Sequence, residues 1–202
     1  MIATSRILTI AAAIGLIGSN LAHAQGGYFI GRYQIGVPVG DTKDYIDKTS
    51  WAGLTMGYRY MPNSRFTIGG DLGWQTYNKQ NNYDTYVRGT ASISGIQYRY
   101  QNMFEFSAQS EMVLNDGGDF RPYVGLGVGG LYVRRQTTFG LFEIEQDPCQ
   151  FMVKPGLGFT YYLSDGTGLI VGTEFIAGFQ DQELTGQSMV AINIGLIFGD
   201  SH

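Results

Sequence analysis

Phe151-Met152-Val153-Lys154-Pro155-Gly156-Leu157-Gly158-Phe159-Thr160-Tyr161-Tyr162-Leu163 sets an apolar side chain at every odd position and Met, Lys, Gly, Gly, Thr and Tyr at the even ones. A period of two is that of a strand whose successive side chains point to opposite faces of a sheet. The alternation outlasts the roughly 9–11 tilted residues that a strand needs to cross a bilayer. Similar stretches cover 28–37, 51–60, 66–77, 96–114, 121–135, 169–180 and 189–198. The first sets Phe29, Tyr33, Ile35 and Val37 against Ile30, Arg32, Gln34 and Gly36, and the last sets Val190, Ile192, Ile194, Leu196 and Phe198 against Ala191, Asn193 and Gly195. The sequence therefore predicts an all-β chain, an eight-stranded antiparallel up-and-down transmembrane β-barrel.

Residues 1–24 stand apart. Arg6 supplies a positive charge, 7–17 is an apolar run, and Leu21-Ala22-His23-Ala24 gives the small-x-small pattern of a secretory signal peptide before Gln25. The run falls short of the roughly 20 residues of a spanning helix, so the chain divides into a signal peptide, 1–24, and a barrel domain, 25–202. That domain carries 17 Asp and Glu against 12 Lys and Arg, a formal charge of −5. Nucleic acid, which calls for a basic patch, is thereby excluded as a partner. Charged residues make up 15% of the chain, where a soluble domain averages about 25%. Cys149 is the single cysteine, so stability must come from closed strand pairing, which satisfies every backbone group in lipid.

Connections at 61–65, 115–120 and 164–167 are short; those at 38–50, 78–90, 136–150 and 181–187 are longer and more polar. Short periplasmic turns and long extracellular loops are the habit of outer-membrane barrels. A lipocalin-like soluble barrel would turn the same apolar parity inward around a ligand, and its polar parity would be rich in Lys and Glu. Here that parity is Gly, Gln, Ser and Thr, and the domain has four Lys. The few charges on it balance, Arg32, Arg59, Arg99 and Lys154 against Asp71, Glu105, Glu111 and Glu174. An eight-stranded barrel is just wide enough for side chains to fill, so these eight are expected to form an interior charge network. Trp74, Tyr98, Tyr132 and Phe151 toward the outer ends, and Phe29, Tyr58, Tyr60, Phe66, Tyr161 and Phe198 toward the periplasmic ends, are expected to form two girdles.

Arg121-Pro122-Tyr123-Val124-Gly125-Leu126-Gly127-Val128-Gly129, with Gly156-Leu157-Gly158-Phe159-Thr160-Tyr161 and Ile192-Asn193-Ile194-Gly195-Leu196-Ile197-Phe198, resembles the strands of small outer-membrane barrels of the OmpA/OmpX type. The resemblance spans the signal peptide and essentially all of 27–198. It implies an integral outer-membrane location, outer-membrane lipids around the barrel and insertion by the barrel-assembly machinery. One departure is that Phe198 is followed by Gly199-Asp200-Ser201-His202, where many relatives end on the aromatic residue. The family includes adhesion, resistance, envelope-integrity and pore proteins, so the resemblance implies an architecture and leaves activity to the site.

Past the signal peptide the lone histidine is His202, which removes any His-dependent triad or paired-His metal site. No enzyme, cofactor or metal is expected. Glu143, Glu145 and Asp147 form an acidic group read as a solvated loop face. Gly125–Gly130 lacks the Lys-Ser/Thr and helix of a phosphate loop. Two functions remain: a structural and interaction scaffold, in adhesion or envelope integrity, meeting an extracellular protein or surface ligand, and a narrow pore or conduit for small solutes or apolar molecules. For the first, the long fourth stretch suggests that 96–100 projects beyond the lipid, with Tyr83, Tyr86, Phe139 and Phe142 as candidate loop contacts. A monomer is the favoured state.

Overall fold

Alternation of this kind folds into strands, and the computed structural model shows nine of them with one short helix. They are β1 (Gly27–Val39), α1 (Asp41–Tyr45), β2 (Ala52–Asn63), β3 (Phe66–Arg88), β4 (Ala91–Val113), β5 (Phe120–Phe139), β6 (Phe142–Gln146), β7 (Cys149–Ser164), β8 (Thr167–Gly178) and β9 (Ser188–Gly199). The structure describes residues 26–88, 91–115, 117–139, 142–164, 166–181 and 184–199. The signal peptide expected at 1–24 lies outside them.

All neighbours are antiparallel. β1 pairs with β2 on one side and β9 on the other, from Tyr28↔Gly199 to Val39↔Ser188, and β4 pairs with β5. The sheet therefore closes as β1-β2-β3-β4-β5-β7-β8-β9 and back to β1. Eight strands build the barrel, and closure leaves its wall no open edge. β6 pairs with β5 above β7, between Arg135↔Gln146 and Phe139↔Phe142. Pro148, which has no N–H for the ladder, separates the two segments, its carbonyl accepting from the Val133 amide at 3.0 Å.

Parity sorts the side chains as the alternation requires. Phe29, Leu72, Phe106, Leu126, Leu157 and Ile194 stand on the outside, Leu72 with 68% of its surface exposed, whereas Arg32, Thr55, Asp71, Glu105, Lys154 and Asn193 are buried inside. Two glycines let strands approach more closely than a side chain would allow. A Cβ on Gly129 would meet the Phe106 carbonyl, and one on Gly195 the Gly31 carbonyl and the Arg32 Cα at 2.7 Å.

Two expectations about the chain's longer connections change. Of the connection expected at 78–90, the described part 78–88 is not a loop, because β3 runs on to Arg88 and pairs with β4 up to Arg88↔Ala91, across an irregularity between Asn81 and Asp84. Likewise 136–150 is mostly strand, the end of β5 followed by β6. Above Tyr77 both faces of this sheet carry polar residues such as Asn78, Lys79, Gln80 and Asn81, so no apolar parity marks the strand. The β1–β2 connection does hold a loop, which opens with Gly40 at φ 53° and the single turn of α1.

Inside, the packing is layered. Near the rim carrying Gly27 and Gly199, here the lower rim, Tyr28, Ile30, Met61, Tyr123, Ile170 and Ile197 form one apolar cluster. Toward the upper rim, Tyr77, Met103, Leu131, Val133, Met152, Ile176, Met189 and Ala191 form another, closed from above by Ile46 after α1 and Leu184 of the β8–β9 connection. Arg32, Arg59, Asp71, Glu105, Glu111, Lys154 and Glu174 lie between the two.

Candidate functional site

The middle layer is a cross-strand ion network. Asp71 of β3 is its hub. It accepts from Arg32 Nη2 at 2.7 Å, Arg59 Nη1 at 2.6 Å and Lys154 Nζ at 3.2 Å, linking β1, β2 and β7. Arg32 Nη1 reaches Glu174 Oε1 at 2.9 Å, Arg59 Nη2 reaches Glu111 Oε1 at 2.7 Å, and Lys154 Nζ reaches Glu105 Oε1 at 3.3 Å. Neutral donors complete the shell, Thr67 Oγ1 to Glu111 at 3.1 Å and Asn193 Nδ2 to Glu174 at 2.9 Å. Buried charges are tolerated when paired and hydrogen-bonded in this way.

Seven of the eight charges named from the sequence meet here; Arg99 does not. It lies three inward positions above Glu105 on β4, beyond Met103 of the apolar layer, and donates from Nη1 to the Tyr45 carbonyl at 2.8 Å. The network is consequently not balanced, with Arg32, Arg59 and Lys154 facing four carboxylates. Glu105 Oε2 is buried with no hydrogen-bond partner among the described residues.

Above the upper apolar layer the mouth is closed by polar contacts between loops and wall. Gln187 Oε1 accepts from Arg135 Nη2 at 2.7 Å and Thr42 Oγ1 at 3.1 Å. Gln150 Nε2 donates to the Leu184 and Thr185 carbonyls at 3.3 and 3.0 Å, holding the β8–β9 connection inside the rim. Asp47 pairs with Lys79 Nζ at 3.0 Å and ties the β1–β2 loop to β3. The hydrogen bond from Lys79 holds the Asp47 carboxyl below its ordinary value. No group of three or more His, Cys, Asp or Glu placed to hold a metal occurs among the described residues.

No protein-family model and no curated protein matches the chain. Among solved structures it is similar to Neisserial surface protein A (NspA), with a TM-score of 0.60 and 11% identity, covering 87% of this chain and 97% of that one. It is also similar to Ail, the attachment invasion locus protein of Yersinia pestis, in complex with the heparin analogue sucrose octasulfate. The TM-score there is 0.57 at 14% identity, covering 86% of this chain and 98% of that one. This chain has the fold of the small eight-stranded outer-membrane barrels.

In a barrel of this fold the outward aromatics fall into levels. Trp74, Phe104 and Tyr132 share one level of the wall, through Trp74↔Phe104 and Phe104↔Tyr132. One step higher the outward residues turn polar: Thr76 donates to Asn102 at 2.6 Å, and Arg134 pairs with Glu145. That polar step marks the top of the apolar band. Tyr98, placed in the upper girdle from the sequence, lies above it with Ile96 and Tyr100, all three exposed. The side chains of Tyr83, Tyr86, Phe139 and Phe142 lie outside the described ones. Their backbones belong to β3, β5 and β6 in the part of the sheet above the band. Of the acidic group, Glu145 is engaged with Arg134 and lies on β6.

Sequence reasoning passed over Tyr45, Arg135 and Gln187. Arg135 had a signal, since it follows Leu131 and Val133 on the inward parity. Tyr45 and Gln187 lie in connections without periodicity, where nothing local says that a residue turns into the mouth.

Proposed function

We propose that this chain is exported through a cleaved signal peptide at 1–24, inserted into the outer membrane by the barrel-assembly machinery, and works there as a non-enzymatic interaction scaffold in adhesion or envelope integrity. The observation that carries the reading is the height of one side of the barrel. The β2–β3 ladder stops at Ala52↔Thr76 and the β7–β8 ladder at Met152↔Gly178, whereas β3 and β4 stay paired to Arg88↔Ala91. The stretch Tyr77–Arg88 adds roughly 40 Å of strand at about 3.3 Å per residue. Among the described residues the β2 ladder ends at Thr76 and gives that stretch no strand on its far side, and such a sheet edge is a template for strand addition by a partner. Exposed Ile96, Tyr98 and Tyr100 stand on its outer face above the apolar band, and tyrosines there suit recognition. Attachment, the activity in Ail's name, fits such a surface. The filled interior speaks against the conduit reading.

The test is cell adhesion and pull-down with the hairpin trimmed, Gln80 joined to Tyr98 by Asn-Gly so that the lower barrel is untouched. Binding should fall to background while heat-modifiable migration is retained. Unchanged binding would sink the scaffold reading.

A further inference from the structure

Two guanidinium groups at the upper mouth have no carboxylate partner among the described residues. Arg32, Arg59, Lys79, Arg134 and Lys154 each face a carboxylate. Arg99 and Arg135 instead converge on one ring, that of Tyr45 at the end of α1, with guanidinium carbons 5.0 and 3.9 Å from its centroid. Among the described residues their hydrogen bonds go to neutral acceptors. Arg99 Nε donates to Gln97 Oε1 at 3.0 Å and its Nη1 to the Tyr45 carbonyl, while Arg135 donates to Gln101 Oε1 at 2.9 Å and to Gln187 Oε1. Tyr45 is fixed in turn, its hydroxyl donating to the Gln136 carbonyl at 3.0 Å.

Amide and carbonyl oxygens satisfy N–H groups without neutralising charge. Arg135 is only 8% exposed, so its charge is poorly screened by water, and burial pushes it down to about 10, with Arg99 acting in the same direction. Asp41, on the exposed side of α1, and the Tyr45 hydroxyl act the other way, but no carboxylate among the described residues pairs with either arginine. Two cations gathered on one ring and hydrogen-bonded to neutral groups match an oxyanion, whose oxygens accept from planar guanidinium forks. Both side chains lie on the inward parity above the apolar layer. Headgroup phosphates would lie alongside the outer wall, whereas both arginines face the barrel axis at its upper mouth, where Arg99 is half-buried.

We propose that Arg99 and Arg135, braced by Tyr45, form a binding site for the sulfate or phosphate group of an extracellular ligand. This rests on the scaffold reading only in taking the upper rim as the outer face. The trimmed hairpin variant keeps both arginines, so loss of adhesion and loss of oxyanion binding are read separately.

The test is calorimetric titration of the full barrel in lipid nanodiscs with sucrose octasulfate, with sucrose as the uncharged control and inorganic phosphate as the free oxyanion. Saturable, salt-sensitive binding of the octasulfate is expected, weakened by about tenfold or more in Arg99→Gln and in Arg135→Gln, partly kept in Arg99→Lys, and unchanged in Arg134→Gln on the outer wall. Phosphate alone should compete at high concentration. Arg99 is only half-buried, so its variants remain informative where Arg135→Gln fails to show heat-modifiable migration. No binding by the unaltered barrel would overturn the proposal, as would equal loss in Arg134→Gln or no loss in the Arg99 variants.

Discussion

Asp71 is the residue on which the interior turns, because three cations from three other strands close on its two oxygens. Removing one partner of a buried pair leaves the rest uncompensated and costs about 3–5 kcal/mol. Asp71→Ala is therefore expected to lower stability by that order in urea unfolding from lipid vesicles. Glu105 is the contrasting case. It meets only Lys154, at 3.3 Å, and its second oxygen has no partner among the described residues. In a cluster with one carboxylate to spare, Glu105→Gln should stay within about 1 kcal/mol of the unaltered barrel; a loss as large as that of Asp71→Ala would refute the ordering. Asp47 gives a test outside the membrane. Its folded-state value is depressed by the Lys79 hydrogen bond, so the tether stabilises the loop at neutral pH and is lost as pH falls through the carboxylate range. An NMR titration should find Asp47 below the ordinary 3.8, and Lys79→Ala should return it there.

At the scale of the strand, closeness of backbones decides what a position tolerates. A Cβ at Gly195 lands on the carbonyl of Gly31, and one at Gly129 on that of Phe106, whereas one at Gly31 meets nothing within 4 Å. Overpacking costs about 1–3 kcal/mol where nothing can give way. Gly195→Val and Gly129→Val should reduce refolding yield, scored by heat-modifiable migration, and Gly31→Val should leave it unchanged. Equal yields for all three would show that the wall relaxes. The same scale explains what the sequence could and could not disclose. Where lipid lies on one side and packed side chains on the other, as along Phe151–Leu163, the two faces differ chemically and the strand is legible. Where water lies on both sides, as along β3 beyond Tyr77, the alternation loses its contrast and the strand reads as loop. Arg99 was misplaced for a related reason. Parity assigns a side chain to a face but not to a height, and height, set by pairing Lys79↔Arg99 five residues above Trp74↔Phe104 and three above the apolar band's polar step at Thr76↔Asn102, puts it at the mouth.

At the scale of the whole molecule, the question is whether anything can pass along the axis. An ion entering from above meets Tyr77, Met103, Met152, Ile176 and Met189, under Ile46 and Leu184. Below it come the fully buried Arg32, Arg59 and Lys154, pinned across the barrel by Asp71. Tyr28, Ile30, Met61 and Ile197 then close the lower end. Two apolar layers exclude a hydrated ion, since stripping its water costs several kcal/mol even after relaxation, and the middle layer has no slack because its charges hold one another. Planar-bilayer recordings of the purified barrel should therefore give no discrete conductance. Ile46→Ala combined with Leu184→Ala removes only the loop cap, and that variant should stay silent too, because the ionic and lower apolar layers are untouched. Reproducible steps from the unaltered protein would displace the scaffold reading in favour of a conduit, and steps from the double variant alone would make the loop cap the gate.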